Sequence, residues 1–206
     1  SFGLGESRVD DMLAGVEALA TDGEVKLGFQ AHYPELETKL FAQGVDVASL
    51  ERMMAPVEAA VRERLGSHLL AEDNDTLESV VLGAMAAVNG TLAIAEAGTH
   101  GAVAGRIVAS DSEGKIFRRG GLGGSITALA TALGLETEGA SRETAAQFAE
   151  AVMQSSKTSH GLAVLIPAGR EGGAGGGEGE VFIAIAREGM TTSVRASQMV
   201  GGRERV

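Results

Sequence analysis

The segment Thr91–Gly101 has the residue types of a catalytic turn between a strand and a helix. An apolar run is followed by a carboxylate at Glu96, a hydroxyl at Thr99 and an imidazole at His100. Nucleophilic catalysis needs a nucleophile and a neighbouring group that takes its proton. Adjacent residues at a helix start point in different directions, so Thr99 and His100 make a poor nucleophile and base pair. The residue types of this segment therefore predict no nucleophile and base pair.

Each polar side chain near this turn also has a structural interpretation. Glu96 either holds a ribose hydroxyl or accepts backbone amides at the following helix start, and we favour the second. Thr99 is interpreted as a helix N-cap and His100 as a loop side chain that fills space. Arg106, on the next predicted helix, either faces the same cleft or lies in solvent, which is the commoner position for arginine. Together with Gly101, these residues are the candidate substrate pocket.

The run Arg118–Gly124 is a second candidate site, because two arginines precede a glycine-rich stretch. Flexible backbone amides beside cations are typical of phosphate cradles. Lone glycine patterns are weak indicators, and a turn before a helix at Ser125 explains the same residues. We favour the turn.

The composition argues against several classes of protein. The chain has 206 residues, no cysteine and a net charge of -11. Without thiolates, and with four scattered histidines, it offers no metal-ligand spacing, so we expect no metal and no cofactor. An acidic chain with few aromatic residues is a poor binder of nucleic acid. No apolar run approaches the roughly 18 residues that cross a bilayer, so we expect a soluble, cytoplasmic protein without membrane contacts.

Residues 1–74 are predicted to form a small α+β domain that ends in the acidic connector 71–75. Apolar positions three and four apart predict helices, and strict alternation predicts strands. These patterns predict a short amphipathic helix over 6–20, a hairpin of strands at 25–31 and 36–42, and a helix over 47–65 that ends at Gly66.

Residues 75–206 are predicted to form a three-layer α/β domain, because helical and strand patterns alternate along them. The glycine-rich run 169–179 has neither period and is predicted to be a mobile loop. A first helix is predicted after Asp75. Its predicted buried face consists of Leu77, Val80, Val81, Ala84, Met85 and Val88. The other predicted elements are strands at 92–95, 162–166, 181–186 and 191–196, and helices at 102–109, at 125–133 and from 141 onward.

The turn resembles the A-E-S-C-T-G-G signature of the nicotinamide-nucleotide amidohydrolase domain in CinA-like, competence/damage-inducible proteins. The matching residues are Ala95, Glu96, Thr99 and Gly101. Three shorter segments are similar to further family segments in the same order, at Ala132–Leu135, Gly139–Glu143 and Gly179–Ile183. The resemblance spans nearly the whole chain and implies a KH-like linker domain before the amidohydrolase-type domain.

The resemblance also indicates which reactive residues this chain lacks. The family's nucleophilic serine corresponds to Ala97, while Gly98 and His100 replace a cysteine and a glycine of the signature. The family's assisting tyrosine and lysine correspond to Gly124 and Leu129, counted back without gaps from the following L-G-L segment. Alanine, glycine and leucine neither attack a carbonyl nor move a proton. We therefore expect no catalytic residue and a vestigial pocket.

Three functions stay open for such a chain. The favoured one is a noncatalytic CinA-like protein that acts through assembly, partner binding or nucleotide binding. The second is an active enzyme that converts nicotinamide mononucleotide to nicotinate mononucleotide and ammonia. The third is a dimerisation and linker unit for an N-terminal molybdopterin-binding-like domain, which family members carry before the segment that Ser1–Ser7 resembles. Whether such a domain was removed or is naturally absent stays open.

The resemblance implies partners as well as a fold. It implies a homodimer and a nicotinamide nucleotide as ligand. Residues 1–74 lack the G-x-x-G loop with which KH modules clamp nucleic acid, so we expect no direct nucleic-acid binding.

Overall fold

The computed structural model describes residues 1, 3–32, 35–137, 139–167 and 179–199. The chain divides into two compact units, Ser1–Leu77 and Glu78–Val206. Apart from Gly179, the predicted glycine-rich loop at 169–179 lies outside the described residues.

The first unit packs two helices against a hairpin. Its elements are helix α1 (Glu6–Leu13), a 3-10 turn (Val16–Leu19), strands β1 (Val25–His32) and β2 (Glu35–Ala42), helix α2 (Val47–Leu65) and a second 3-10 turn (Gly66–His68). The two strands are antiparallel, with Val25 opposite Ala42. Leu13 of α1 and Val57 of α2 belong to the apolar core that the hairpin also lines. The predicted hairpin and long helix are confirmed.

The predicted helix over 6–20 is wrong in its length. Helix α1 ends at Leu13, and Gly15, in the left-handed conformation (φ 78°), separates it from the following 3-10 turn. Glycine has no Cβ and adopts this conformation without strain. Val9, Leu13 and Val16 nevertheless reach the same core. The apolar spacing therefore continues across a break that hydrophobic periodicity does not reveal.

The second unit is built around a five-stranded sheet. Its helices are α3 (Leu77–Ala87), α4 (Ala102–Ser110), α5 (Ile126–Leu133) and α6 (Arg142–Ser156). Its strands are β3 (Leu92–Ala97), β4 (Phe117–Gly123), β5 (His160–Leu165), β6 (Gly179–Arg187) and β7 (Ser193–Met199). Their order across the sheet is β4-β3-β5-β6-β7. Strand β3 is parallel to both neighbours, whereas β6 and β7 continue the sheet antiparallel.

Helices cover this sheet on both faces. Side chains alternate along a strand, so Ala93 and Ala95 face one way while Leu92 and Ile94 face the other. The alanine face packs against α5 and α6, where Phe148 is fully buried. The opposite face packs against α3 and α4. The predicted α/β class, with a three-layer α/β/α domain after a small α+β domain, is confirmed.

Helix α3 buries only part of the predicted face, since Leu77 and Met85 are partly buried and Met85 packs against the core. Leu82 is its buried residue, whereas Val80 and Val81 are 38% exposed and Val88 is 56% exposed. Ala84, also predicted to be buried, is exposed. Most positions along this helix are apolar, so hydrophobic periodicity does not define its phase. Helix α3 therefore has exposed apolar side chains.

The strands next to the candidate turn also differ from prediction. Strand β4 was not predicted, because glycine is rare in strands and hides the pattern. Strand β3 is longer than the predicted strand at 92–95. Glu96 and Ala97, expected in a loop, pair with Leu122 and Gly123 of β4. These two residues therefore have the fixed side-chain directions of a strand.

Candidate functional site

Strand β3 leads into a tight turn at the carboxyl edge of the parallel strands. Gly98 (φ 86°), His100 (φ 55°) and Gly101 (φ 83°) all have left-handed backbone conformations. A Cβ on Gly98 would lie 2.6 Å from the carbonyl oxygen of Ile166, so the position requires glycine. The chain reverses over residues 98–101 and starts α4 directly afterwards.

Glu96 is 1% exposed and connects the strand to this helix. Its Oε1 accepts the amide of Ala104 at 2.9 Å. Its Oε2 accepts the amide of Val103 at 3.2 Å and the hydroxyl of Thr99 at 2.5 Å. A helix start leaves amides without intrahelical partners and carries a partial positive charge, and a carboxylate there satisfies both. Both carboxylate oxygens of Glu96 therefore accept hydrogen bonds that connect α4 to the end of β3. These contacts agree with the structural interpretation of Glu96.

The predicted N-cap of α4 is wrong. The residue before the helix is Gly101, which offers no side-chain hydrogen bond. Thr99 instead donates its hydroxyl to Glu96, and its oxygen lies 3.4 Å from the amide of Gly101. His100 is exposed and does not fill space in the turn. A carboxylate is a weaker base than the amine or imidazole that commonly activates a hydroxyl nucleophile.

The two positions at which the resemblance predicts the serine and the lysine lie in the core. Ala97 and Leu129 are both 1% exposed and belong to one apolar cluster between the sheet, α5 and α6. In the sheet, Ala97 is flanked by Gly123 of β4 and Leu165 of β5. Gly124 is exposed, and a Cβ there would meet open space. Of the three positions predicted from the resemblance, only Gly124 faces solvent.

Arg106 is engaged elsewhere. Its Nε donates to the carboxylate of Glu78 in an ion pair between α4 and α3. The arginine side chain is about half exposed, whereas that of Glu78 is mostly buried. The structure thus places Arg106 in the helix layer on one face of the sheet and not among the residues of the turn.

The run Arg118–Gly124 is a strand up to Gly123, and the predicted turn there is wrong. Amides along a strand point alternately to opposite sides and do not converge on one anion as they do in a phosphate cradle. Arg118 donates from Nη1 to the carbonyl of Gly114 at 3.0 Å. The helix predicted from Ser125 is confirmed, with the Ser125 hydroxyl accepting an amide of α5 at 3.1 Å.

Asp111 is a structural residue that sequence reasoning missed. Its carboxylate accepts the amides of Phe117 at 2.7 Å, Ile116 at 2.9 Å and Lys115 at 3.2 Å. The hydrogen bond from Phe117, supported by the other two and by the charge of Arg118, lowers the pKa of Asp111 below its usual range. An aspartate before a Ser-Glu-Gly turn was the available signal. Asp111 fixes the loop that brings β4 alongside β3.

Groups of three potential metal-ligating side chains do not occur within the described ranges. Helices in that part of the chain are also too short or too polar to cross a membrane. At the carboxyl edge, the polar side chains of the turn are those of Glu96, Thr99 and His100, and the first two are hydrogen-bonded to each other.

Comparison with known proteins places both units. The family model for the damage-inducible protein CinA KH domain matches residues 1–71, and that for the CinA C-terminal domain matches residues 74–206. The CinA-like proteins of Frankia casuarinae and Geotalea daltonii are each 33% identical to this chain over 99% of its length. Those alignments cover 48% and 50% of the two relatives, so the chain spans about half of their length.

A solved structure shows the same fold. The competence-damaged protein (CinA) superfamily protein of Escherichia coli superposes with a TM-score of 0.55 at 20% identity, covering 68% of this chain and 88% of that one. A KH-type unit followed by a three-layer α/β unit with a strand-turn-helix at its carboxyl edge defines a CinA type of architecture. The chain belongs to the CinA family.

Proposed function

We propose that this chain is a noncatalytic member of the CinA family that acts as an assembly and binding domain. The observation that carries the proposal is the burial of Ala97 and Leu129 in one apolar cluster. The resemblance to nicotinamide-nucleotide amidohydrolases assigns the nucleophile and the assisting lysine to these two positions. A methyl group and an isobutyl group supply neither function, and core packing keeps substrate away from both.

The neighbouring polar residues support the same proposal. Thr99 donates its only hydroxyl proton to Glu96, and Glu96 also holds two amides of α4. Recruiting Thr99 as a nucleophile would break its hydrogen bond to Glu96 and still require a base. A reaction that relies on this turn would therefore have to break the contacts that build it.

Ammonia release from nicotinamide mononucleotide tests the proposal. The unmodified chain is assayed beside the Ala97→Ser variant, the triple variant Ala97→Ser/Gly124→Tyr/Leu129→Lys and an active family enzyme. Catalytic groups that act as a unit supply on the order of 10⁶ in rate, so we expect no turnover above background from the unmodified chain. The Ala97→Ser variant is the matched control, because it restores a hydroxyl without its assisting groups, and it should also be inactive.

The contrary outcome is equally specific. Turnover by the unmodified chain that disappears in a Thr99→Ala variant would establish the active deamidase and overturn the noncatalytic proposal. A parallel calorimetric titration with nicotinamide mononucleotide determines whether a nucleotide is among the ligands of the binding domain. Binding without ammonia release would identify a former substrate as a retained ligand.

We also propose that the assembly is a homodimer formed through α3. Val80 and Val81 on this helix, and Val88 directly after it, are exposed. Contiguous exposed apolar surface is typical of interaction sites. A two-fold axis pairs a surface with itself, so an interface centred on these valines avoids the repulsion that acidic faces of a chain with net charge -11 would meet.

Sedimentation equilibrium of the unmodified chain and of a Val81→Lys/Val88→Lys variant tests the dimer. We expect the mass of a dimer for the first and of a monomer for the second, because paired lysines would face each other across the axis. A Val45→Lys variant is the matched control, since Val45 is fully exposed on the first unit. A monomeric unmodified chain, or a dimer that survives both lysines on α3, would contradict this interface.

A further inference from the structure

A cavity of about 730 Å³ lies at the amino end of the parallel strands, opposite the turn that follows β3. Its floor is formed by Thr91, directly before β3, and by Thr158 and Ser159, directly before β5. One wall is the carboxyl-terminal half of α6, and the other is the turn between β6 and β7. The volume falls within the roughly 300–1,000 Å³ typical of small-molecule sites.

The floor of this cavity is held by reciprocal hydrogen bonds. The amide of Thr91 donates to Oγ of Ser159 at 2.8 Å, and the amide of Ser159 donates to Oγ1 of Thr91 at 3.1 Å. The hydroxyl of Ser159 donates in turn to the carbonyl of Thr91 at 3.1 Å and lies 2.8 Å from Nδ1 of His160. A floor fixed in this way does not have to be ordered when a ligand arrives.

The walls are tied to the floor and to each other. The amide of Glu188, in the β6–β7 turn, donates to the carbonyl of Ser159 at 3.3 Å. The hydroxyl of Thr192, on the far side of the turn, donates to Oε1 of Glu150 on α6. The cavity is therefore bridged on two sides by contacts within the second unit.

Charges of both signs line this cavity. Lys157 follows the end of α6, and Arg187 ends β6 on the opposite wall. Across the described ranges, neither cation makes an ion pair or a side-chain hydrogen bond. Glu188 lines the cavity with them, and Glu150 uses one oxygen for Thr192. The dipole of α6 favours a cation at Lys157 but does not explain Arg187.

Histidine adds no charge to this set near neutral pH. Burial, and then the neighbouring charge of Arg187, lowers the pKa of His160. The cavity therefore holds two cations, Lys157 and Arg187, and two carboxylates, Glu150 and Glu188. Met153 and Met190 also line the cavity and supply apolar surface. The flexible thioether side chain of methionine adapts readily to different apolar groups.

We propose that this cavity binds a small zwitterion with an apolar side chain, such as an amino acid or a dipeptide. The ligand carboxylate contacts Lys157 and Arg187, its ammonium group contacts Glu188 and the free oxygen of Glu150, and its side chain lies against the methionines. An anion would pair with the two cations but be repelled by the two carboxylates, and a cation would meet the reverse. A zwitterion can pair with both sets of side chains. The site is separate from the turn after β3 and does not depend on amidase activity.

Isothermal calorimetry on the full chain with three forms of one dipeptide tests this proposal. Leucyl-leucine is the zwitterion, N-acetyl-leucyl-leucine carries only the negative charge, and leucyl-leucine amide carries only the positive charge. We expect the zwitterion to bind with a dissociation constant of about 1 mM or lower, and each blocked form to bind at least about tenfold more weakly. Absence of binding, or equal binding of all three forms, would overturn the proposal.

Variants place the binding in the cavity. Lys157→Gln and Arg187→Gln should each weaken leucyl-leucine binding by about tenfold, because each removes one charge-assisted hydrogen bond. Lys115→Gln is the matched control, since Lys115 is an exposed lysine outside the cavity. Thermal unfolding of each variant confirms that it is folded. Binding that both cavity variants retain unchanged would place the dipeptide elsewhere and overturn the assignment.

Discussion

The two ends of the five-stranded sheet differ in how their polar groups are used. At the carboxyl end, Glu96 and Thr99 bond to each other and to α4, and Ala97 lies in the core. At the amino end, Lys157 and Arg187 face a cavity without partners among the described residues. The carboxyl end resembles a catalytic site in sequence, but Glu96 and Ala97 are buried there. The amino end has no sequence signature and is open.

Under the proposed noncatalytic role, the fold of this chain would have outlasted an active site. The turn after β3 still needs its glycine at Gly98 and its carboxylate at Glu96, because both build the connection to α4. At the three positions where the resemblance predicts residues needed only for catalysis, this chain has Ala97, Gly124 and Leu129. Structural and catalytic constraints on one motif can thus be separated residue by residue.

The largest expected effect is the difference in unfolding free energy lost when Glu96 or Glu188, at opposite ends of the sheet, is removed. Glu96→Ala removes the partner of two buried amides and one hydroxyl, so we expect a loss of about 3 kcal/mol in the free energy of unfolding. Glu188→Ala, at the exposed end, should change that free energy by less than about 0.5 kcal/mol. Urea unfolding of both variants measures the contrast. Equal losses would mean that Glu96 is not the structural anchor described here.

A second contrast compares glycines with left-handed backbones. Gly98→Ala adds both backbone strain and a Cβ 2.6 Å from the Ile166 carbonyl, so we expect a loss of about 2–3 kcal/mol. Gly189 (φ 72°), in the β6–β7 turn, has open space around it, and Gly189→Ala should cost only about 1 kcal/mol for strain. Urea midpoints of the two variants provide the test. A loss for Gly98→Ala no larger than that for Gly189→Ala would show that the turn is loosely packed.

The smallest expected effect concerns pH at the amino end. The pKa of His160 is lower in the folded chain than the value of 6.5 expected when it is unfolded. Between those two values the unfolded chain binds more protons, so the free energy of unfolding falls as the pH drops below about 6.5. His160→Gln should remove this part of the pH dependence, and Arg187→Gln should reduce it.

Chemical denaturation at several pH values between 5 and 8 measures that dependence. The comparison is the slope of the free energy of unfolding against pH for the unmodified chain and the two variants. A slope that is the same in all three would show that His160 is not shifted by its surroundings.

Much of the fold is predictable from sequence because its signals are local. The hairpin of the first unit has strict alternation, and α6 has a Ser141 cap followed by an inward face that includes Phe148. Strand β4 was missed because its pairing with β3 depends on the neighbouring strand and not on its own glycine-rich sequence. The buried face of α3 was predicted only in part because nearly all of its surface is apolar.

The candidate site was predictable only in part. The residue types at Glu96 and Thr99 suggested contacts to the helix start. The cap was assigned wrongly to Thr99 because the sequence does not show where β3 ends. The charged cavity was not predictable, because Thr91, Lys157 and Arg187 are far apart in sequence and meet only in the folded sheet. Sequence patterns report local geometry, whereas a cavity depends on long-range packing.

The most direct test of the noncatalytic account measures whether position 97 is accessible. The chain has no cysteine, so an Ala97→Cys variant carries a single thiol at the position of the family's nucleophile. Maleimide labelling of Ala97→Cys is compared with labelling of Glu188→Cys, at the open end of the sheet. The account predicts that the thiol at 97 reacts at least about a hundredfold more slowly under native conditions and equally fast in denaturant. Native labelling of position 97 as fast as that of position 188 would contradict it.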